Sequence, residues 1–213
     1  MKVHSIVLGV LMLVMFAQGG QAATIFSDNF NGENGGAGAL NYNGFSQWNV
    51  SGGAVDLIGN SFFDFYPGNG LYVDLDGTMF QSGQFSSIPI ALTGGTYMLQ
   101  FSLGGSQRGD TNTVQVSLGS FYTESFTLGS SAALTVITRF ITVGGPASAS
   151  LTFQNAGGDN IGLILDDVNL STTEIRNVPE TASLTLLAMG LAGIGMLRLR
   201  SFKNVQACFA CNK

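Results

Sequence analysis

Between residues 24 and 170 apolar and polar side chains alternate over short runs, and each run ends in a cluster of Gly, Asn or Asp. No segment of that region sustains the apolar spacing of an amphipathic helix. A period of two places alternate side chains on opposite faces, so the chain is restricted to strands that bury one face against another sheet. Residues 96–103 are the clearest case, with Tyr97, Leu99, Phe101 and Leu103 on one side and Met98, Gln100 and Ser102 on the other. Residues 71–75 repeat the pattern, with Leu71, Val73 and Leu75 opposite Tyr72 and Asp74. Residues 113–118 and 121–128 read as a hairpin across Gly119-Ser120, and residues 85–92 are expected to pair with 96–103 across Thr93-Gly94-Gly95. In residues 161–170 the apolar set Leu163, Leu165, Val168, Leu170 changes parity at Asp166-Asp167, which predicts a bulge there. The whole reads as roughly ten or eleven strands of an all-β sandwich or barrel. Its first strand, residues 24–30, must lie beside its last to close the structure.

The two ends have a different character. Residues 1–22 read as a secretory signal: Lys2 supplies the charge, residues 6–16 the apolar core, and Gly20-Gln21-Ala22 the small residues of a cleavage site. Residues 23–172 form the domain and 173–177 a polar linker. Val178-Pro179-Glu180-Thr181 then precedes an uncharged run, residues 182–197, followed by Arg198, Arg200 and Lys203. As a helix that run would span ~24 Å, a little short of the ~30 Å hydrocarbon core. Snorkelling of the flanking basic residues makes up the difference. They also place its end on the cytoplasmic side. Residues 178–203 are therefore expected to cross the inner membrane once, with the domain outside and residues 204–213, including Cys208 and Cys211, in the cytoplasm.

Composition excludes several functions. Residues 23–177 hold three basic side chains (Arg108, Arg139, Arg176) against twelve acidic ones, a net charge of −9. Nucleic acid binding needs clustered Lys and Arg, so it is not expected. The same residues contain neither Cys nor His. Disulfides, cysteine nucleophiles, Ser-His-Asp triads and zinc sites of Cys or His are thereby ruled out within the domain.

Few polar or aromatic groups stand out. Phe62, Phe63, Phe65, Tyr66 and Tyr72 cluster on and beside the loop of residues 60–70. They are either packed beneath it or offered to a sugar ring. Trp48 is expected in the core. Asp74 and Asp76 lie two apart and would share a strand face, a permissive spacing for glycoside chemistry; the domain is nonetheless read as having no catalytic residue. Arg108-Gly109-Asp110 spells an adhesion tripeptide but reads as a polar loop.

The Val178-Pro179-Glu180 motif, the apolar run and the basic cluster together resemble the PEP-CTERM sorting signal of Gram-negative bacteria. Thr181 stands where that motif has a second Pro, and the chain continues past the basic cluster to Lys213. The resemblance implies recognition by an exosortase-type membrane enzyme, cleavage near Glu180, and delivery to the cell surface or an exopolysaccharide-rich biofilm matrix. A plain, permanent membrane anchor is the alternative. Residues 26–30, 48–59 and 71–77, with the closing 158–170, resemble galactose-binding-like jelly rolls. That likeness implies a jelly-roll β-sandwich and a glycan-binding or structural role, with a glycoside-active enzyme using the domain's carboxylates as the alternative. It also implies a structural Ca2+ where the first strand's loop meets the last strand, drawing its hard oxygen ligands from Asp28, Glu33, Asp166 and Asp167.

Overall fold

A computed structural model describes residues 22–173. The segment read as a secretory signal, the Val178–Thr181 segment read as a sorting motif, the apolar run, the basic cluster at Arg198, Arg200 and Lys203, and the residues up to Lys213 lie outside them. Thirteen strands follow one another: β1 (Thr24–Asp28), β2 (Trp48–Ser51), β3 (Asp56–Gly59), β4 (Leu71–Asp74), β5 (Gln84–Ser87), β6 (Ile90–Leu92), β7 (Gly95–Gly104), β8 (Thr111–Leu118), β9 (Tyr122–Gly129), β10 (Thr135–Val143), β11 (Ala147–Ala149), β12 (Leu151–Ala156) and β13 (Ile164–Thr172). Among the described residues the only helical segment is a 3-10 turn at Glu33–Gly36.

The strands form two antiparallel sheets. One has the order β10-β7-β13-β4-β3, with β1 also paired to β13; the other has the order β2-β5-β12-β8-β9. A short pair, β6 and β11, stands apart. Strands β4, β5, β7, β8, β9, β10, β12 and β13 pass between the two sheets in the sequence of a jelly roll, the connection pattern of two Greek keys. The sandwich expected from the alternation is thus present, with jelly-roll winding.

The inward faces follow the period of two. Tyr97, Leu99, Phe101 and Leu103 of β7 meet Val114, Val116 and Leu118 of β8 and Leu151 and Phe153 of β12, all at most 2% exposed. Aromatic rings fill one end: Trp48 stacks on Phe85 at 4.4 Å between centroids and 9° between planes, with Phe26, Phe30, Phe45 and Phe153 around them. Trp48 is 2% exposed, a core residue as its isolation suggested.

One pairing differs from expectation. Residues 85–92 do not pair with β7. Pro89 interrupts them, β5 joins β2 and β12, and β6 joins β11. Proline lacks the N–H that a continuous ladder needs. The hairpin of β8 and β9 forms as read, Leu118 opposite Tyr122.

The bulge forms at the predicted place. The register of β13 against β7 shifts between Asp166 and Asn169, and Asp167 takes a left-handed φ of 49°. Leu165 and Val168 consequently both point inward. At the same point β13 changes its other neighbour: Ile164 and Leu165 pair with β4, whereas Val168 to Ser171 pair with β1. The first and last strands are therefore adjacent, and the carboxylates of the bulge sit where one neighbour hands over to the other.

Candidate functional site

On β3 and β4, Leu57 and Val73 face the core, so Asp56, Ile58, Tyr72 and Asp74 face outward. That outer surface is covered by the loop of residues 60–70, which packs Phe62, Phe65 and Tyr66 against Ile58, Tyr72 and Ile164. The loop begins with Asn60, Ser61 and Phe63 in left-handed conformations (φ 49°, 73° and 47°), closed by reciprocal backbone bonds between Gly59 and Phe62.

The five aromatics of this region separate into two roles. Tyr72 is fully buried; its hydroxyl accepts the Tyr66 N–H at 2.9 Å and donates to Asp64 at 3.0 Å. The Tyr66 hydroxyl lies 2.7 Å from the carbonyls of both Gly105 and Ala132 and accepts from Gln107. These two tyrosines fasten the loop to the sandwich, so of the two alternatives read for them it is packing beneath the loop that the structure shows. Phe63, 55% exposed, stands free, with Phe62 edge-on against it at 4.9 Å. Phe65 lies under the guanidinium of Arg108, 5.3 Å from ring to Cζ.

Phe63, Phe65 and Leu40 line a pocket of about 160 Å³ together with Asp56, Asp74, Thr78, Arg108 and Asn160. Asp56 and Asp74 are directly opposite in the β3–β4 ladder. Asp56 accepts the N–H of Asn41 at 2.6 Å and the hydroxyl of Thr78 at 2.7 Å. Asp74, 2% exposed, accepts the N–H of Gly162 at 2.9 Å and of Asp76 at 3.1 Å, and forms an ion pair with Arg108. Burial pushes its carboxyl up to about 7, with Arg108 pulling the other way and the Asp56 charge adding to the rise. Arg108 is thus committed to Asp74. Asp110 of the same tripeptide accepts from Thr111 and Asn112 instead, so the tripeptide is built into its own domain.

Asp76 does not continue the face of Asp74 as a second open carboxylate. It lies beyond the end of β4 and is fully buried, its Oδ2 accepting the N–H groups of Gly158 at 2.7 Å and Asp159 at 3.3 Å. Asp56, Thr78 and Asn160 were not singled out by sequence, and Arg108 was noted only within a tripeptide read as a polar loop. Asp56 carried a readable signal, since its alternation with Leu57 turns it outward; its pairing with Asp74 needed the sheet register.

The four acidic residues expected to hold Ca2+ occupy another part of the sandwich. Asp28, Glu33 and Asp167 line an open depression of about 560 Å³ beside the bulge. Asp166, 1% exposed, is pushed up to about 7 by burial and by the neighbouring charges of Asp167 and Asp28. Three of the four are engaged internally. Asp28 accepts from Phe30 N–H at 2.8 Å and Trp48 Nε1 at 2.9 Å, Glu33 from the Ser46 hydroxyl at 2.6 Å, and Asp166 from Asp167 N–H at 2.8 Å. Among the described residues no three acidic, His or Cys side chains are gathered closely enough to enclose a metal.

No protein-family model matches the chain, and no curated protein is similar to it in sequence. Among solved structures it is similar to the cleaved adhesin domain of Lys-gingipain from Porphyromonas gingivalis, at 15% identity and a TM-score of 0.48, covering 72% of this chain and 100% of that one. It is also similar to TmCBM61, solved with β-1,4-galactotriose, at 21% identity and a TM-score of 0.39, over 61% of this chain and 90% of that one. A third is the carbohydrate-binding module from Cellvibrio mixtus lichenase 5A, solved with cellotriose, at 15% identity and a TM-score of 0.38, over 65% and 98%. All three are likenesses in the course of the chain.

Proposed function

We propose that this is an exported, non-enzymatic β-sandwich that binds an uncharged glycan in the pocket on the outer face of β3 and β4. One observation carries the reading: exposed Phe63 and Leu40 line the same space of about 160 Å³ as Asp56, Thr78, Arg108 and Asn160. A pyranose has an apolar ring face and a rim of hydroxyls, and matches a lining that offers both kinds of group. Both arginines of the described domain are already paired, Arg108 with Asp74 and Arg139 with Glu124, which leaves a uronate or sulfate without a cation among the described residues. The resemblance of the chain's end to a PEP-CTERM signal extends the proposal: an exosortase-type enzyme removes the membrane-spanning tail, and the domain works at the cell surface or among exopolysaccharides.

The test is retention of the full chain on cellohexaose, xylohexaose, β-1,4-galactohexaose and polygalacturonate. Binding to a neutral oligosaccharide, abolished in Phe63→Ala, supports the reading. Exclusive retention by polygalacturonate, or release of new reducing ends, refutes it, the latter in favour of a glycoside-active enzyme. A C-terminus near Glu180 in the native host supports processing, and an intact Lys213 in the membrane fraction supports a permanent anchor.

A structural Ca2+ at the bulge is a second part of the proposal. It is favoured by the buried Asp166 beside Asp28 and Asp167, where no salt bridge among the described residues reaches it. All the side-chain donors there are hard oxygens, which suits Ca2+; because no three of them are gathered closely enough to enclose an ion, Asp28, Asp166 and Asp167 would hold it only by drawing together around it, with Glu33 kept on Ser46.

A further inference from the structure

Most of the pocket lining comes from loops, Asn160 among it. Asn160 belongs to the loop of residues 157–162 between β12 and β13, and two carboxylates fasten that loop from below. Asp76 accepts the N–H groups of Gly158 and Asp159, and Asp74 accepts that of Gly162. The two acids are themselves joined, since the Asp76 N–H donates to Asp74 Oδ1 at 3.1 Å. The contact is close: a Cβ on Gly157 would fall 2.2 Å from Asp76 Oδ2, and one on Gly162 would fall 2.4 Å from Asp74 Oδ1. Between these anchors Asn160 takes a left-handed φ of 65°, which asparagine accommodates more readily than other non-glycine residues. Asp74 spends its remaining oxygen on Arg108, a second lining residue.

We propose that Asp74 and Asp76 are paired positioning residues: a two-point strap that holds residues 157–162 across the pocket and presents the Asn160 amide to the ligand. The ligand's nature rests on the glycan reading above; the strap does not. An amide offers one donor group and one acceptor group, so Asn160 discriminates among hydroxyl arrangements on an uncharged sugar. The charged groups facing the strap are Arg108 and Asp56 at Asp74, and Asp159 at Asp76. Substituting Asp76 removes the acceptor of two loop N–H groups without touching the pocket lining. This separates the strap from direct ligand contact.

Hydrogen–deuterium exchange and titration with a retained neutral hexasaccharide, both on the full chain, test the proposal. Asp76→Ala is expected to speed exchange in residues 157–162 about tenfold or more while β7 and β8 stay protected. It should weaken hexasaccharide binding about tenfold, the scale of one lost hydrogen bond. Asn160→Ala should weaken binding equally with exchange unchanged, and the double variant should bind no more weakly than Asn160→Ala, because Asp76 acts through Asn160. If Asp76→Ala fails to fold, Gly162→Ala supplies the same test by displacing the loop from Asp74. Unchanged exchange in both variants, or additive losses in the double variant, overturns the strap. A wild type that binds no oligosaccharide overturns the glycan reading, and the exchange data alone then decide the strap.

Discussion

Replacing Asp166 with Asn should stabilise the domain by an amount that grows as pH rises from about 4 to 7 and levels off above neutrality. Asp166 is 1% exposed, and burial, with Asp167 and Asp28 nearby, lifts its carboxyl from an ordinary 3.8 to about 7. A group raised on folding contributes stability below its unfolded pKa, and that contribution is lost as pH climbs through its folded pKa. Between about 4 and 7 the native state holds a proton that the unfolded state has released, so the domain weakens as pH rises through that window. A rise of about three units at ~1.4 kcal/mol each makes the full loss about 4 kcal/mol, an upper figure. Asparagine keeps an acceptor for the Asp167 N–H, bonded now at 2.8 Å, and carries no charge. Urea unfolding in EDTA at pH 5, 6, 7 and 8 measures the effect. The gap between variant and wild type should open towards pH 8; the part of the slope that comes from Asp74 is common to both. Adding Ca2+ at pH 8 should close the gap by strengthening only the wild type, by about 2.7 kcal/mol at a hundred times the dissociation constant. Parallel stability curves for the two proteins from pH 5 to 8 would refute the electrostatic reasoning at the bulge.

Other outcomes follow from the packing. Phe63→Ala should abolish measurable oligosaccharide binding while shifting unfolding stability by less than about 0.5 kcal/mol, since the ring is 55% exposed. Phe85→Ala, which removes the ring stacked on Trp48, should cost about 3–5 kcal/mol in urea unfolding and red-shift Trp48 fluorescence as water reaches it. Glu124→Ala breaks a two-bond pair with Arg139 that is more than a third exposed on both sides, and should change stability by no more than about 1 kcal/mol, less in high salt.

What could be read in advance divides along the line between local and distant. The inward face of β7 and the parity change at Asp166-Asp167 are written in residues next to one another, and both are present. The adjacency of first and last strands follows from the need to close a sandwich. The pocket is distant in every respect. Asp56 meets Asp74 through sheet register, Arg108 arrives from the loop after β7, and Asn160 from the loop before β13. No short-range pattern encodes those meetings. The clustered aromatics misled for a related reason. Five rings close in sequence look alike, but Tyr66 and Tyr72 have hydroxyls that find buried partners, whereas Phe63 has none to anchor it.

The handover on β13 has a mechanical consequence. Because β1 lies antiparallel to its final stretch, the two ends of the domain leave side by side, Ala23 and Thr172 bonded to each other in both directions. Tension applied between those two ends would peel β1 from β13 one hydrogen bond at a time. Tension entering at the C-terminal end and resisted at the pocket takes another path. It runs along β13, gripped by β7 on one flank and β1 on the other, and loads cross-strand bonds in shear together. A domain tethered by its C-terminal side and gripped at its pocket is pulled in its resistant direction.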